Sequence, residues 1–326
     1  MLKEILEQKK CFKLVCGAGN EDVQEVEKLV ALYAAAGCNF FDLSANEKVI
    51  DAAKRGLDFS VPKEKQGDFH FCVSVGIKGD PHITKALIDS TKCFACGKCV
   101  EICPQNALFL ENNTFKVTEI RCIGCGKCKN ICPKEAINFY SKDKNLKEIL
   151  PPLVEKGIDC IELHATGEDE NEADEKWQDI NACFDGFLSI CIDRSKLGNE
   201  KLVARIARFL TLRKPYSTII QADGAPMTGG VDDFKTTLQA VAAAEIAQNA
   251  NFPAFILVSG GTNSKSVELA KMCGINPNGV TIGSYARQIV KKYLKRDDFL
   301  TNEEIFNKAL TEAKKLVTTS LNFLQI

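Results

Sequence analysis

Residues 93–104 read CFACGKCVEICP, and residues 122–133 read CIGCGKCKNICP. Each phrase is C-x2-C-x2-C-x3-C-P, the run by which bacterial ferredoxins hold [4Fe-4S] clusters. Three closely spaced thiolates grip one cluster, and the fourth, before the proline, reaches the other. The spacing therefore predicts two clusters with crossed ligands. One is held by Cys93, Cys96, Cys99 and Cys132, the other by Cys122, Cys125, Cys128 and Cys103. Gly97, Gly124 and Gly126 permit the left-handed turns that aim backbone amides at sulfur. Pro104 and Pro133 end each ligand turn. Zinc is the competing reading, since two C-x2-C pairs could hold it. Zinc needs neither the third cysteine nor the C-P, so the doubled pattern points to iron and sulfur. No C-x3-C-x2-C triplet of the radical type is present.

The rest of the composition agrees with a soluble redox protein. The chain has 326 residues, 45% of them apolar, and a formal charge of -1. That balance offers no bulk attraction for nucleic acid. No apolar run approaches the ~20 residues of a membrane span. MLKEILEQKK at the start lacks the features of a secretory signal, and the chain reads as cytoplasmic. Of sixteen cysteines, eight lie outside the two phrases. They are Cys11, Cys16, Cys38, Cys72, Cys160, Cys183, Cys191 and Cys273, mostly within apolar runs, and read as small core hydrophobes. Residues 84–142 carry nine Lys/Arg against five Asp/Glu. This offsets the negative clusters, so the module lacks the long-range field of a freely diffusing carrier.

Outward from the cysteines, apolar runs alternate with amphipathic stretches. Strands are predicted over 11–19, 38–45, 69–76, 158–166, 185–193, 216–224, 251–261 and 279–286. Helices are predicted over 21–37, 46–59, 144–157 (interrupted at Pro151 and Pro152), 171–183, 199–213, 232–250, 264–274 and 287–294. Eight strand–helix units with continuous apolar strands imply a parallel sheet covered by helices. The expected fold is an α/β, (β/α)8 TIM-barrel-like domain with an inserted ferredoxin-like 2[4Fe-4S] module. An open doubly wound sheet is the alternative. The expected layout is residues 1–83 for strands one to three, 84–142 for the module, 143–300 for the remaining barrel and 301–326 for a C-terminal helix. Thr301 and Glu304 read as its capping box.

In such a barrel the site lies at the strand C-termini, often with a phosphate site after strands seven and eight. Here those loops supply Gly260, Gly261, Thr262, Asn263, Gly283, Ser284 and Arg287. They form a candidate cradle for a phosphate-bearing ligand, FMN among them. Asn20, Asp42, Ser44, His164, Asp193, Arg194, Gln221 and Asp223 also fall at strand ends. Each reads equally as a functional group or as a cap. QADGAPMTGG (221–230) is a lid, a substrate loop or a turn. GEDENEADEKWQD (167–179) reads as a solvated acidic face anchored by Trp177.

Several segments together resemble one family. They are the paired cysteine phrases, LVALYAAAGCNFFDLSANEKVIDAAKRGL (29–57), IIQADGAPMTGG (219–230), TLQAVAAAE (237–245) and ILVSGGTNSKSVELAKMCGINPNGVTIGSYARQIV (256–290). They look like the light-dependent period family of cyanobacteria, iron-sulfur proteins linked to redox input of the circadian clock. The resemblance runs to about residue 295, and its most specific block is SGGTNSKS…GSYAR. It implies two [4Fe-4S] clusters and a sensing or electron-transfer role with a redox or regulatory protein as partner. It brings no known catalytic reaction. The complete ligand run in both phrases is more ferredoxin-like than in some relatives. The rival reading, by fold analogy alone, is a flavin barrel fed by a ferredoxin module.

Overall fold

The computed structural model describes residues 1–17, 19–78, 80, 83–142, 145–194, 197–224 and 231–326. Twelve strands are present among them: β1 (Cys11–Val15), β2 (Phe40–Ser44), β3 (His70–Gly76), β4 (Thr84–Ile88), β5 (Leu108–Glu111), β6 (Thr114–Val117), β7 (Ile137–Ser141), β8 (Cys160–His164), β9 (Phe187–Asp193), β10 (Thr218–Asp223), β11 (Phe255–Ser259) and β12 (Gly279–Ile282). Eight of them close a barrel in the order β1-β12-β11-β10-β9-β8-β3-β2, with every barrel pair parallel. Closure leaves no strand edge exposed. Burial on both faces explains the continuous apolar runs. The open doubly wound alternative is excluded by the pairing of β1 with β12.

The module occupies the connection between β3 and β8, at the C-terminal end of the barrel. It consists of two antiparallel pairs, β4–β7 and β5–β6. Asn112 and Asn113, both at positive φ (47° and 58°), turn the β5–β6 hairpin. Lys85 pins the module to the barrel. Its buried ammonium donates to Gly19 O at 2.8 Å and Cys122 O at 2.7 Å. Arg121 Nη2 pairs with Asp22 Oδ2 at 2.7 Å, and Asp22 also caps helix Val23–Ala35.

The helical shell departs from expectation in local detail. Helix Leu146–Glu155 runs unbroken through Pro151 and Pro152. Its buried Leu146, Leu150 and Leu153 hold it to the core, and the carbonyls that lose donors belong to exposed Lys147 and Glu148. The last helix, Glu303–Gln325, is capped by Asn302, whose side chain accepts from Ile305 N. Thr301 instead donates its hydroxyl to Asp298 O. The helix expected from 232 starts at Leu238, and the one expected from 287 starts at Ser284. A short helix, Leu2–Glu7, closes the bottom of the barrel. Its Leu2 and Leu6 pack on Cys11, Phe40, Cys72 and Cys160.

Helices Val23–Ala35 and Glu47–Ser60 cross closely at Gly56. A Cβ there would lie 2.4 Å from Glu27 O and 3.0 Å from Ala31 N. Gly56→Ala gains about 1 kcal/mol of helix propensity. It also forces two backbones apart, which costs about 1–3 kcal/mol. A net loss of stability is expected in urea unfolding. A rise in the midpoint would show that the crossing has slack.

Trp177 anchors the acidic helix as read from sequence. It stacks on Phe209 at 4.8 Å between ring centroids and donates Nε1–H to Phe209 O at 2.9 Å. Part of the acidic face is spent on a neighbouring helix. Glu170 and Asp174 pair with Arg205 and Arg208.

Candidate functional site

The eight cysteines of the repeated phrases gather into two cavities. Cys103, Cys122, Cys125 and Cys128 line one of about 380 Å³. Cys93, Cys96, Cys99 and Cys132 line another of about 350 Å³. Each group takes three thiols from one phrase and the fourth from the other. The two halves repeat at a spacing of 29 residues. Ala95 and Gly124 take matching positive φ (57° and 63°), as do Gly97 and Gly126 (81° and 76°). Ala107 N donates to Cys103 Sγ and Ala136 N to Cys132 Sγ, both at 3.4 Å. Ala86 N donates to Cys122 Sγ at 3.3 Å.

Burial pushes the Cys128 thiol up to about 12, and the neighbouring sulfurs of Cys125, Cys122 and Cys103 push the same way. Cys99 is raised by burial and by Cys93 and Cys96. Such crowded sulfurs become thiolates only when a metal replaces their protons. Soft thiolates in fours, with amides aimed at sulfur and an apolar surround of Ala86, Leu108 and Ile137, fit an iron-sulfur cluster.

At the barrel mouth a cavity of about 690 Å³ opens among the strand ends. Its floor is a buried polar network. Lys13 Nζ lies 2.6 Å from Glu162 Oε2 and 3.7 Å from Asp42 Oδ2. Ser189 Oγ donates to Glu162 Oε2 at 2.8 Å and Gln221 Nε2 to Glu162 Oε1 at 2.7 Å. Thr281 Oγ1 donates to Gln221 Oε1 at 2.8 Å, and Ser74 Oγ to Asp42 Oδ1 at 2.6 Å. Burial works against the Lys13 charge, but Asp42 and Glu162 outweigh it and hold the ammonium protonated. Glu162, despite its burial, is held well below the usual carboxylate range by Lys13 and His164. At Asp42 burial outweighs Lys13, and its carboxyl is raised. Burial also disfavours a charged His164, yet Asp80 and Glu162 raise its imidazole to about 9.

Asp42, His164, Gln221 and Asp223, read from sequence as strand-end candidates, all face this cavity. Asn20 instead holds its own loop, donating to Cys16 O at 3.2 Å, and Ser44 donates to Glu21 at 3.4 Å. Asp193 is placed by its strand backbone, opposite Asp223 in the register. Arg194 is half-buried just beyond it. Residues 225–230 of the glycine-rich loop lie outside the described residues.

The proposed phosphate cradle forms only in part. Gly260, Gly261, Thr262, Gly283, Ser284 and Arg287 line the cavity. Asn263 does not. Its amide ties down Val231 O, Asp233 O and Thr236 Oγ1 at 2.7–2.9 Å. Arg287 is engaged by Glu25 Oε1 at 2.6 Å and Cys16 O at 2.5 Å. The Asp223 carboxylate packs against Gly260, where an added Cβ would lie 2.1 Å from Oδ1. An acid at the cradle and a committed arginine fit a flavin phosphate poorly.

Lys13, Glu162, Ser189, Cys191 and Thr281 were not singled out as site residues from the sequence. A signal existed for two of them. Lys13 stands alone between Phe12 and Leu14, and Glu162 between Ile161 and Leu163, as charges inside apolar strands. Gln105 and Ile123, from the module, also wall the barrel mouth and belong as well to the cavity of Cys103, Cys122, Cys125 and Cys128.

Fold and site together define an eight-stranded β/α barrel that carries an iron-sulfur domain. The 4Fe-4S dicluster domain model matches residues 86–139. The light dependent period A C-terminal domain model matches residues 152–319, and the chain belongs to that family. It is 27% identical over 330 aligned positions to light dependent period A of Synechococcus elongatus, spanning 96% of this chain and 92% of that protein. Among solved structures, a ligand-free tryptophan synthase from M. tuberculosis aligns at 8% identity with a TM-score of 0.47, covering 99% and 98% of the two chains. A truncated 3-deoxy-D-arabino-heptulosonate 7-phosphate synthase from Thermotoga maritima aligns at 12% and 0.41, covering 95% and 87%. Neither likeness carries weight beside the closed strand order itself. Among the described residues no helix is long and apolar enough to cross a membrane.

Proposed function

We propose that the chain is a two-cluster redox protein that senses or transfers electrons and passes its state to a redox or regulatory partner protein. The observation that carries this reading is the sorting of eight cysteines into two crossed sets of four, each in its own cavity. Cys93, Cys96, Cys99 and Cys132 would hold one [4Fe-4S] cluster, and Cys122, Cys125, Cys128 and Cys103 the other. When bound, such clusters take up and release single electrons. The amides of Ala86, Ala107 and Ala136 donate to the ligand sulfurs, an arrangement that stabilises the more negative state. Cys96 is exposed at the module surface, where a protein partner can approach. The test is a reductive titration of anaerobically purified protein. Eight irons per chain and uptake of two electrons are expected. Retention of zinc in place of iron, or no electron uptake, would sink the reading.

A second reading, a ferredoxin-fed oxidoreductase, is favoured by one observation. A small ligand in the barrel mouth would rest against Gln105 and Ile123, which also wall the second four-cysteine cavity. Since the residues suit a flavin phosphate poorly, acid precipitation of the purified protein is expected to leave a supernatant free of flavin fluorescence. Stoichiometric release of flavin would revive the cradle and the enzyme reading together.

A further inference from the structure

Glu162, His164 and Cys191 bring a carboxylate oxygen, an imidazole nitrogen and a sulfur within 4.8 Å of one another inside the barrel. We propose that these three residues, with Asp223, form a binding site for one divalent transition metal, separate from the cysteine runs and independent of the cluster reading.

The spacing carries the argument. His164 Nε2 lies 3.1 Å from Glu162 Oε1, and Cys191 Sγ lies 3.5 Å from Asp223 Oδ2. On a tetrahedral zinc, ligands at about 2.0–2.1 Å for nitrogen or oxygen and about 2.3 Å for sulfur stand roughly 3.3–3.6 Å apart. The Cys191–Asp223 pair already has the spacing of a tetrahedron edge, and the His164–Glu162 pair needs to open by only about 0.2 Å. The strand register sets them side by side, since His164 on β8 opposes Cys191 on β9, and Cys191 opposes Gln221, two residues before Asp223 on β10.

The surroundings suit a ligand role. Lys13 and Ser189 both bind Oε2 of Glu162, which orients the carboxylate, while Oε1 accepts from Gln221 Nε2 at 2.7 Å and also faces His164. Behind the imidazole, His164 Nδ1 faces Asp80 Oδ2 at 3.8 Å. A carboxylate in that position orients ligating histidines and strengthens their donor nitrogen. All four proposed ligands line the barrel-mouth cavity, so the ion has a way in. Binding replaces the proton on His164 Nε2 and the thiol proton of Cys191, and both pass to solvent. Sulfur and imidazole beside carboxylate select zinc or ferrous iron over magnesium or calcium.

The test uses zinc chloride on anaerobically purified protein with its iron in place, followed by dialysis, metal counting and absorption spectroscopy at the zinc edge. One zinc per chain is expected, with a single sulfur neighbour at about 2.3 Å. Cys191→Ser should remove that sulfur. His164→Gln should weaken zinc retention at least about tenfold with iron unchanged, and Cys273→Ser, at an exposed thiol, should change nothing. If both site variants fail to fold, the wild-type sulfur count decides by itself. No retained zinc, zinc ringed only by sulfur, or a single sulfur that survives Cys191→Ser would overturn the proposal.

Discussion

Cys103→Ser is expected to halve the iron of the protein, and the cluster lost should be the one nearer the barrel. Cys103 belongs by sequence to the first phrase, whose other thiols line the opposite cavity. In space it joins Cys122, Cys125 and Cys128. Simple succession along the chain would instead assign it to Cys93, Cys96 and Cys99. Cys132→Ser is the reciprocal change, and it should remove the cluster nearer Cys96. The two variants are separable by pairing each with a second change. Cys103→Ser with Cys125→Ser should keep about four irons, because both remove the same cluster. Cys103→Ser with Cys96→Ser should keep almost none. Iron counting on the double variants decides the matter, and equal iron in both would refute the crossed ligand sets. Losing a cluster should also loosen the module, since ligation contributes folding free energy. Lys85 reaches Cys122 O and Gly19 O at once, so the loosening should extend to the loop after β1.

The parts of this molecule that were legible in its sequence are those written in short-range patterns. The cysteine spacing specifies the module because cluster geometry demands it within a dozen residues. The eight barrel strands stand out because burial on both faces makes each run apolar. Pro151 and Pro152 misled because helix breaking was judged locally, while the helix is held by Leu146, Leu150 and Leu153 against the core. The cap at Asn302 rather than Thr301 is a one-residue choice between two competent side chains.

The polar floor of the barrel was illegible for a different reason. A charge in an apolar strand points either into a barrel or out towards the helices, and neighbouring residues do not say which. Lys13 finds Glu162 at a separation of 149 positions, and only closure of the sheet brings them together. The phosphate loops were legible only in part. Glycine, serine and arginine at the right loops suggested an anion cradle. Arg287 is engaged by Glu25 and Cys16, and Asn263 by the 231–236 segment, which sequence proximity does not reveal.

Lys13→Met is expected to be among the most damaging single changes in the barrel. The side chain is almost wholly buried, as are Glu162 and Asp42 beside it. Removing the ammonium leaves two buried carboxyl groups with only neutral donors and His164 to balance them. Breaking one partner of a buried pair costs about 3–5 kcal/mol. Glu162→Gln should cost less, since the amide keeps the shape, Asp42 still faces the lysine and Gln221 can still reach it. The double variant Lys13→Met with Glu162→Gln should recover part of the loss, because the strongest uncompensated charge has gone. The linkage sign is definite for Glu162. Its folded carboxyl is depressed, so its stabilisation is present above the unfolded carboxylate range and is lost as acid protonates it in the fold. Lys13→Met removes the main cause of that depression, so the variant should lose less stability than the parent as pH falls below the unfolded carboxylate range. Urea unfolding of the four proteins from neutral to acidic pH checks both points. Additive costs in the double variant, together with identical acid dependence in parent and Lys13→Met, would show that the pair does not act as a unit.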